Sequence, residues 1–126
     1  MSITLNSVVY NWSGFDQSGT SRWTATAGGV ASGFSQLTER VTVPAGSNPE
    51  AKAKVKWRVS IPVISSEDSK CACTGTLMRT AYVDIAADFG LLATASERAA
   101  VLAAIRDLVL TTEFSNSFKG LVQAAG

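Results

Sequence analysis

The sequence predicts an α+β domain in which an antiparallel sheet is followed by two C-terminal helices. The first two-thirds of its 126 residues is strand and turn chemistry, rich in β-branched and aromatic residues punctuated by Gly, Ser, Asn and Pro. After Leu92 the apolar period changes from two to about 3.6 residues. Strands precede helices without interleaving, which separates this class from a parallel α/β sheet. At 46% hydrophobic residues the chain reads as one domain, 1–126, that needs neither metal nor disulfide to fold. Its expected parts are an N-terminal hairpin at 1–27, a sheet over 28–92 with a long loop at 64–77, and helices over 93–126.

The expected elements follow from local chemistry. Ile3 to Trp12 reads as a strand, Ser13 to Gly19 as a turn, and Thr20 to Thr26 as the returning strand around Trp23. Gly28-Gly29 breaks the pattern, a short strand is expected around Val30 to Phe34, and another over Leu37 to Val43. Pro44-Ala45-Gly46-Ser47-Asn48-Pro49 is turn chemistry. Lys52 to Ile61 alternates charge with hydrophobicity, and Pro62 is expected to end that strand. Ser65 to Thr76 is a polar loop of a length that is usually functional or disordered. Leu77 to Ala86 returns to strand, with Thr80, Tyr82 and Asp84 on one face. Thr94-Ala95-Ser96-Glu97 has the form of a capping box, and Val101, Leu102, Ile105, Leu108 and Val109 make one apolar helical stripe. Phe114, Phe118, Leu121 and Val122 suggest a second, shorter helix containing Gly120. Two such helices barely cover five strands, so a partner chain is expected to cover the rest of the apolar face.

Composition excludes several functions. There is no histidine, which removes the commonest general base, the usual triad and the usual metal ligand together. No carboxylate pair sits in a catalytic motif, so an enzyme is not expected, and no cofactor is implied. No segment approaches the about 18 apolar residues of a membrane span, and the N-terminus lacks the form of a signal peptide. The chain is expected to be cytosolic where it is made. Cys71 and Cys73 are too close in sequence for a zinc motif and have no further Cys or His to complete one, so no metal site is expected. An internal disulfide between them would be strained. Free thiols in a reducing cytosol and bridges to other chains both remain open.

The informative stretch is the alternating strand. Lys52, Lys54, Lys56, Arg58 and Ser60 point one way, while Ala53, Val55, Trp57, Val59 and Ile61 point the other. Four cations in register suit either a solvated sheet face or a polyanion, and the strand alone favours the solvated face. Net charge is only +1, yet Arg40, Lys52, Lys54, Lys56 and Arg58 are five of the eleven cations. Any polyanion site is therefore local. Trp12 and Trp57 read as core or interface aromatics.

The order of these motifs resembles the coat proteins of the small single-stranded RNA bacteriophages, the leviviruses. The resemblance rests on Gly29-Val30-Ala31-Ser32, Glu39-Arg40-Val41-Thr42-Val43, Lys54-Val55-Lys56-Trp57-Arg58-Val59-Ser60-Ile61-Pro62, Arg79-Thr80-Ala81-Tyr82-Val83-Asp84 and the helix opening at Glu97-Arg98. It implies an N-terminal hairpin, a five-stranded antiparallel sheet and two C-terminal helices interlocked in a homodimer. It also implies assembly of dimers, in the bacterial host cytoplasm, into a closed icosahedral shell, the virion. It further implies that a dimer binds a stem-loop of the genomic RNA at the start of the replicase gene, repressing replicase translation and directing packaging.

Carried over residue by residue, the resemblance makes Arg40, Lys56 and Arg58 phosphate contacts, and Lys54 joins them as a candidate on the same strand face. Thr42 and Val30 become the lining of an adenine pocket, Tyr82 a base-stacking platform, and Asp84 a neighbouring polar reader of base or ribose. Pro44 stands where the family usually has a small hydroxyl residue, and offers no donor. Cys71 and Cys73 fall in the loop that gathers at the symmetry axes of the shell, where the resemblance implies disulfides between subunits. The alternative is a non-capsid regulator that binds RNA on its sheet face. Such a domain would be expected to interleave its strands and helices, which this sequence does not.

Overall fold

The computed structural model describes residues 1–26, 33–45, 50–64 and 77–123. Its strands are β1 (Ser2–Leu5), β2 (Val8–Phe15), β3 (Ser21–Ala25), β4 (Ser35–Thr42), β5 (Lys52–Ile64) and β6 (Leu77–Gly90). Two helices follow, α1 (Ala95–Val109) and α2 (Thr112–Gly120). All six strands lie in one sheet in sequence order, each antiparallel to the next. The α+β class stands, and the expected hairpin and sheet are one continuous meander of six strands.

Three expectations are corrected. Ile3 to Trp12 is not a single strand but is folded at Asn6 and Ser7, whose φ values of 49 and 63 are those of a type I′ turn between β1 and β2. Pro62 does not end β5, which continues to Ile64. The last β5 residue paired with β4 is Ser60, so Pro62 lies where that side of the strand is an edge and a missing N–H is tolerated. The strand after the long loop runs past Ala86 to Gly90. Of the expected strand around Val30 to Phe34, only Gly33 and Phe34 are described, and they precede β4. The loop carrying Cys71 and Cys73, and Val30 itself, lie outside the described residues.

The core sits on the apolar side of the sheet around β2, β3 and β4. Tyr10, Trp23, Ala25 and Leu37 are each no more than 4% exposed, with Ile3, Val8, Trp57 and Val59 against them. Register explains the grouping, because Trp23 pairs with Leu37 and Leu37 with Val59. Trp23 and Trp57 stack with centroids 5.7 Å apart.

The first helix begins where the sequence predicts, whereas the second carries Phe114 and Phe118 but ends at Gly120, with Leu121 at φ 53 and Val122 beyond it. Thr94 Oγ1 accepts from the Glu97 N–H at 3.2 Å while the Thr94 N–H donates to Glu97 Oε2 at 3.1 Å, a complete capping box. Thr111 joins the helices: its hydroxyl donates to the Leu108 carbonyl at 2.8 Å and accepts from the Phe114 N–H at 3.2 Å. Phe114 and Phe118 stack at 4.5 Å. A cleft of about 150 Å³ separates Val101, Leu102 and Ile105 of α1 from Val55, Trp57 and Ile85 of the sheet.

No described residue of either helix is buried: Leu102 of α1 is 68% exposed, and Leu110 and Leu121, which follow the two helices, are 79% and 89% exposed. The chain exposes 9328 Å². A compact monomer of this length exposes about 6,400 Å². Exposed apolar side chains of the helices, such as Val101, Leu102, Leu108 and Phe118, contribute to the difference.

Candidate nucleic-acid interface

Cross-strand partners share a face, so register fixes which side chains meet. On the polar side, Thr42 of β4 pairs with Lys54, Arg40 with Lys56 and Thr38 with Arg58. On the other flank of β5, Lys54 pairs with Asp88, Arg58 with Asp84 and Ser60 with Tyr82. Arg40, Thr42, Lys54, Lys56, Arg58, Tyr82 and Asp84 therefore lie on one surface across three adjacent strands. Continuing the β4 alternation backwards from Arg40 adds Thr38 and Gln36, which the reading of the sequence by charge passed over.

The cations are not equivalent. Arg58 forms a forked pair with Asp84, Nε to Oδ1 at 2.6 Å and Nη2 to Oδ2 at 2.9 Å, and its guanidinium lies 5.4 Å from the centre of the Tyr82 ring. The hydrogen bond from Arg58, supported by the charges of Arg58 and Lys56, holds the Asp84 carboxyl below the usual carboxylate range. The same hydrogen bond raises the Arg58 value. Asp84 thus offsets the charge of Arg58 while itself remaining exposed. Lys54 and Lys56 form no ion pair among the described residues.

Arg40 donates from Nη1 to the Ser18 carbonyl, tying the β2–β3 turn to β4. That turn is built around Asp16, which accepts from the Ser18 hydroxyl at 2.7 Å and from the Thr20 N–H at 3.0 Å. The Ser18 hydroxyl is the chief cause of a lowered Asp16 value. The turn brings Thr20 beside the cations, and a hollow of about 220 Å³ is lined by Thr20, Thr38, Arg40, Lys56 and Arg58. Three cationic and two hydroxyl side chains around one hollow suit the non-bridging oxygens of a phosphodiester.

No group of three metal-ligating side chains occurs among the described residues, and none of their helices is long and apolar enough to cross a membrane.

No curated protein sequence matches the chain. Solved structures match its fold along nearly all of its length. The virus-like particle of Beihai levi-like virus 21 superimposes with a TM-score of 0.84 at 15% identity, covering 99% of this chain and 97% of that one. That of bacteriophage ESE058 gives 0.83 at 12% identity, with 99% and 95% covered. The bacteriophage GA protein capsid gives 0.74 at 12% identity, with 95% and 93% covered. At such identities these likenesses show the fold. The family model for the levivirus coat protein matches residues 4–122. The chain belongs to the levivirus coat protein family and is accordingly a structural, non-enzymatic capsid protein of the phage virion.

Proposed function

We infer that this coat protein forms a homodimer through its helices, and that the assembled shell holds single-stranded genomic RNA against the polar face of the sheet. The observation that carries the RNA reading is the register of β4, β5 and β6. It gathers Arg40, Lys54, Lys56 and Arg58 beside Thr42, Tyr82 and Asp84 while the opposite face is committed to the core. A solvated sheet face has no need of that concentration of one charge. Exposed Tyr82, with Arg58 at its ring, suits stacking of an unpaired base.

Dimerisation is supported by the uncovered apolar sides of α1 and α2. Obligate dimers bury about 2,000–5,000 Å² in total, and the surplus exposure of each chain is sufficient for that. In this reading a dimer also binds a stem-loop at the replicase start, repressing translation and selecting the genome for packaging in the host cytoplasm. Cys71 and Cys73 are the candidates for disulfides between subunits. Membership in the coat family favours this reading over a non-capsid regulator.

The test is a reporter in bacteria whose start codon lies in the replicase-start hairpin of the cognate genome. Coexpressed coat protein is expected to repress it, and Lys54→Ala/Lys56→Ala to relieve repression. Repression that survives the double substitution would place RNA elsewhere than on this face.

A further inference from the structure

One carboxylate lies on the apolar side of the sheet. Glu39 is two residues from Leu37 on β4, and register seats it between Ser21 of β3 and Trp57 of β5, so it shares the core side with them. The same row continues to Phe15 beyond Ser21 and to Ile85 beyond Trp57. Phe15 is 69% exposed, and Val41, the next β4 residue on that side, is 56% exposed. Glu39 itself is half-buried and makes no hydrogen bond or ion pair among the described residues.

A lone charge within an exposed apolar patch is tolerated while water reaches it. Once a partner covers the patch that water is lost, and the carboxylate then needs a cation from the same partner. The fitting partner is therefore an apolar surface with one cation set into it.

The helix α1 carries such a surface. Leu102, Arg106 and Val109 recur at i, i+4 and i+7, which places them along one line of the helix. Leu102 also borders the cleft over the sheet, yet both apolar members of the line are exposed. Arg106 has only its neighbour Asp107 as an ion-pair partner among the described residues, Nε to Oδ1 at 3.4 Å with both side chains at least 70% exposed, a pair that contributes little. The other helical cations fit less well. Arg98 donates to the Ala93 carbonyl at 2.7 Å, and Lys119 has the polar Ser115 one turn before it. The chain's own α1 lies over Val55, Trp57 and Ile85, which leaves the Phe15 and Glu39 end of the row to a second copy.

We propose that Glu39 of one chain receives Arg106 of a second copy, with the Leu102, Arg106 and Val109 line of that copy's α1 laid on the apolar patch around Glu39. The proposal rests on the reading of the chain as a homodimer joined through its helices. Two-fold symmetry makes the contact twice in each dimer.

The test reverses the charges in the full chain. Glu39→Arg alone and Arg106→Glu alone each set like charges together at both contacts, and each is expected to lose about ten-fold or more of its dimer and shell in sedimentation velocity. Coexpressed, the two variants restore opposite charges at both contacts of a mixed dimer. They are expected to regain the wild-type profile, with the two chains in equal amounts by mass spectrometry even when one is supplied in excess. The doubly reversed chain, Glu39→Arg/Arg106→Glu, is expected to dimerise by itself. Recovery of either kind separates the contact from a folding defect, and an ion pair within one chain could not produce it in the mixture.

Wild-type dimer and shell from either single variant alone, or no recovery on coexpression, would overturn the pairing of Glu39 with Arg106 while leaving the dimer intact. A wild-type chain that sediments as a monomer would overturn the two together.

Discussion

Lys56→Gln tests the cationic face most cleanly, because Lys56 is exposed, lies between Arg40 and Ala86 in register, and forms no ion pair among the described residues. Its removal relieves repulsion from Arg40, so the fold is expected to be no less stable. Arg58 is largely occupied by Asp84, so on the proposed RNA face Arg40, Lys54 and Lys56 are the expected principal phosphate contacts of each subunit. Each contact with single-stranded RNA contributes about −0.7 to the slope of log affinity against log salt, so a dimer with six has a slope of about −4.2. The substitution removes two contacts per dimer and brings the slope to about −2.8. Between about 50 and 200 mM salt the parent then loses about 300-fold in affinity and the variant about 50-fold. Fluorescence anisotropy of a labelled single-stranded RNA at four salt concentrations reads both slopes. Equal slopes would refute the assignment of Lys56 to phosphate, whatever happened to affinity at any one salt concentration.

Asp84→Asn is expected to free Arg58 and steepen the same slope by about 0.7 per subunit, whereas weaker binding would show that the carboxylate itself contacts RNA. Because the Arg58 hydrogen bond holds the Asp84 carboxyl below its ordinary value, the clamp persists to below about pH 4. Only beneath that, as protonation discharges Asp84, is wild-type affinity expected to rise toward that of the variant. Leu37→Ala, at a side chain 3% exposed between Trp23 and Val59, is expected to cost about 2–5 kcal/mol in chemical denaturation, and a loss under about 1 kcal/mol would contradict its place in the core. Ser7→Gly is expected to stabilise the chain by a few tenths to about 1 kcal/mol, since Ser7 has φ 63, and a destabilised variant would contradict the type I′ turn.

Much of this architecture was legible where one physical signal acts alone. The alternation from Lys52 to Ile61 can satisfy only a strand with one buried face, and Thr94 with Glu97 can close a capping box from sequence neighbours. The misreadings arose where tertiary context decides. Asn6-Ser7 lacks the glycine that marks most type I′ turns, so the chain on either side read as one strand. Pro62 is a breaker in a paired strand but not at an edge, and the edge exists only because β4 stops pairing at Ser60.

The candidate surface shows the same division. Its cations were visible as charges on alternating positions. The clamp between Arg58 and Asp84 was not, because it joins residues 26 apart and depends on the β5–β6 register. Gln36 and Thr38 carry no signal of their own and come to the surface only through pairing with β3 and β5, as Arg22 of β3 does through β4. The resemblance placed Asp84 among readers of base or ribose. The register also gives it a partner within the chain.

The central claim is that this coat protein closes a shell around RNA held by its cationic sheet face. Its most direct test is expression of the chain alone in bacteria, followed by size exclusion, negative-stain microscopy and the ratio of absorbance at 260 to 280 nm in the excluded fraction. The account predicts uniform round particles rich in nucleic acid, with the RNA content falling in Lys54→Ala/Lys56→Ala particles. A small species free of RNA at moderate salt, or shells whose RNA content is indifferent to that substitution, would contradict it.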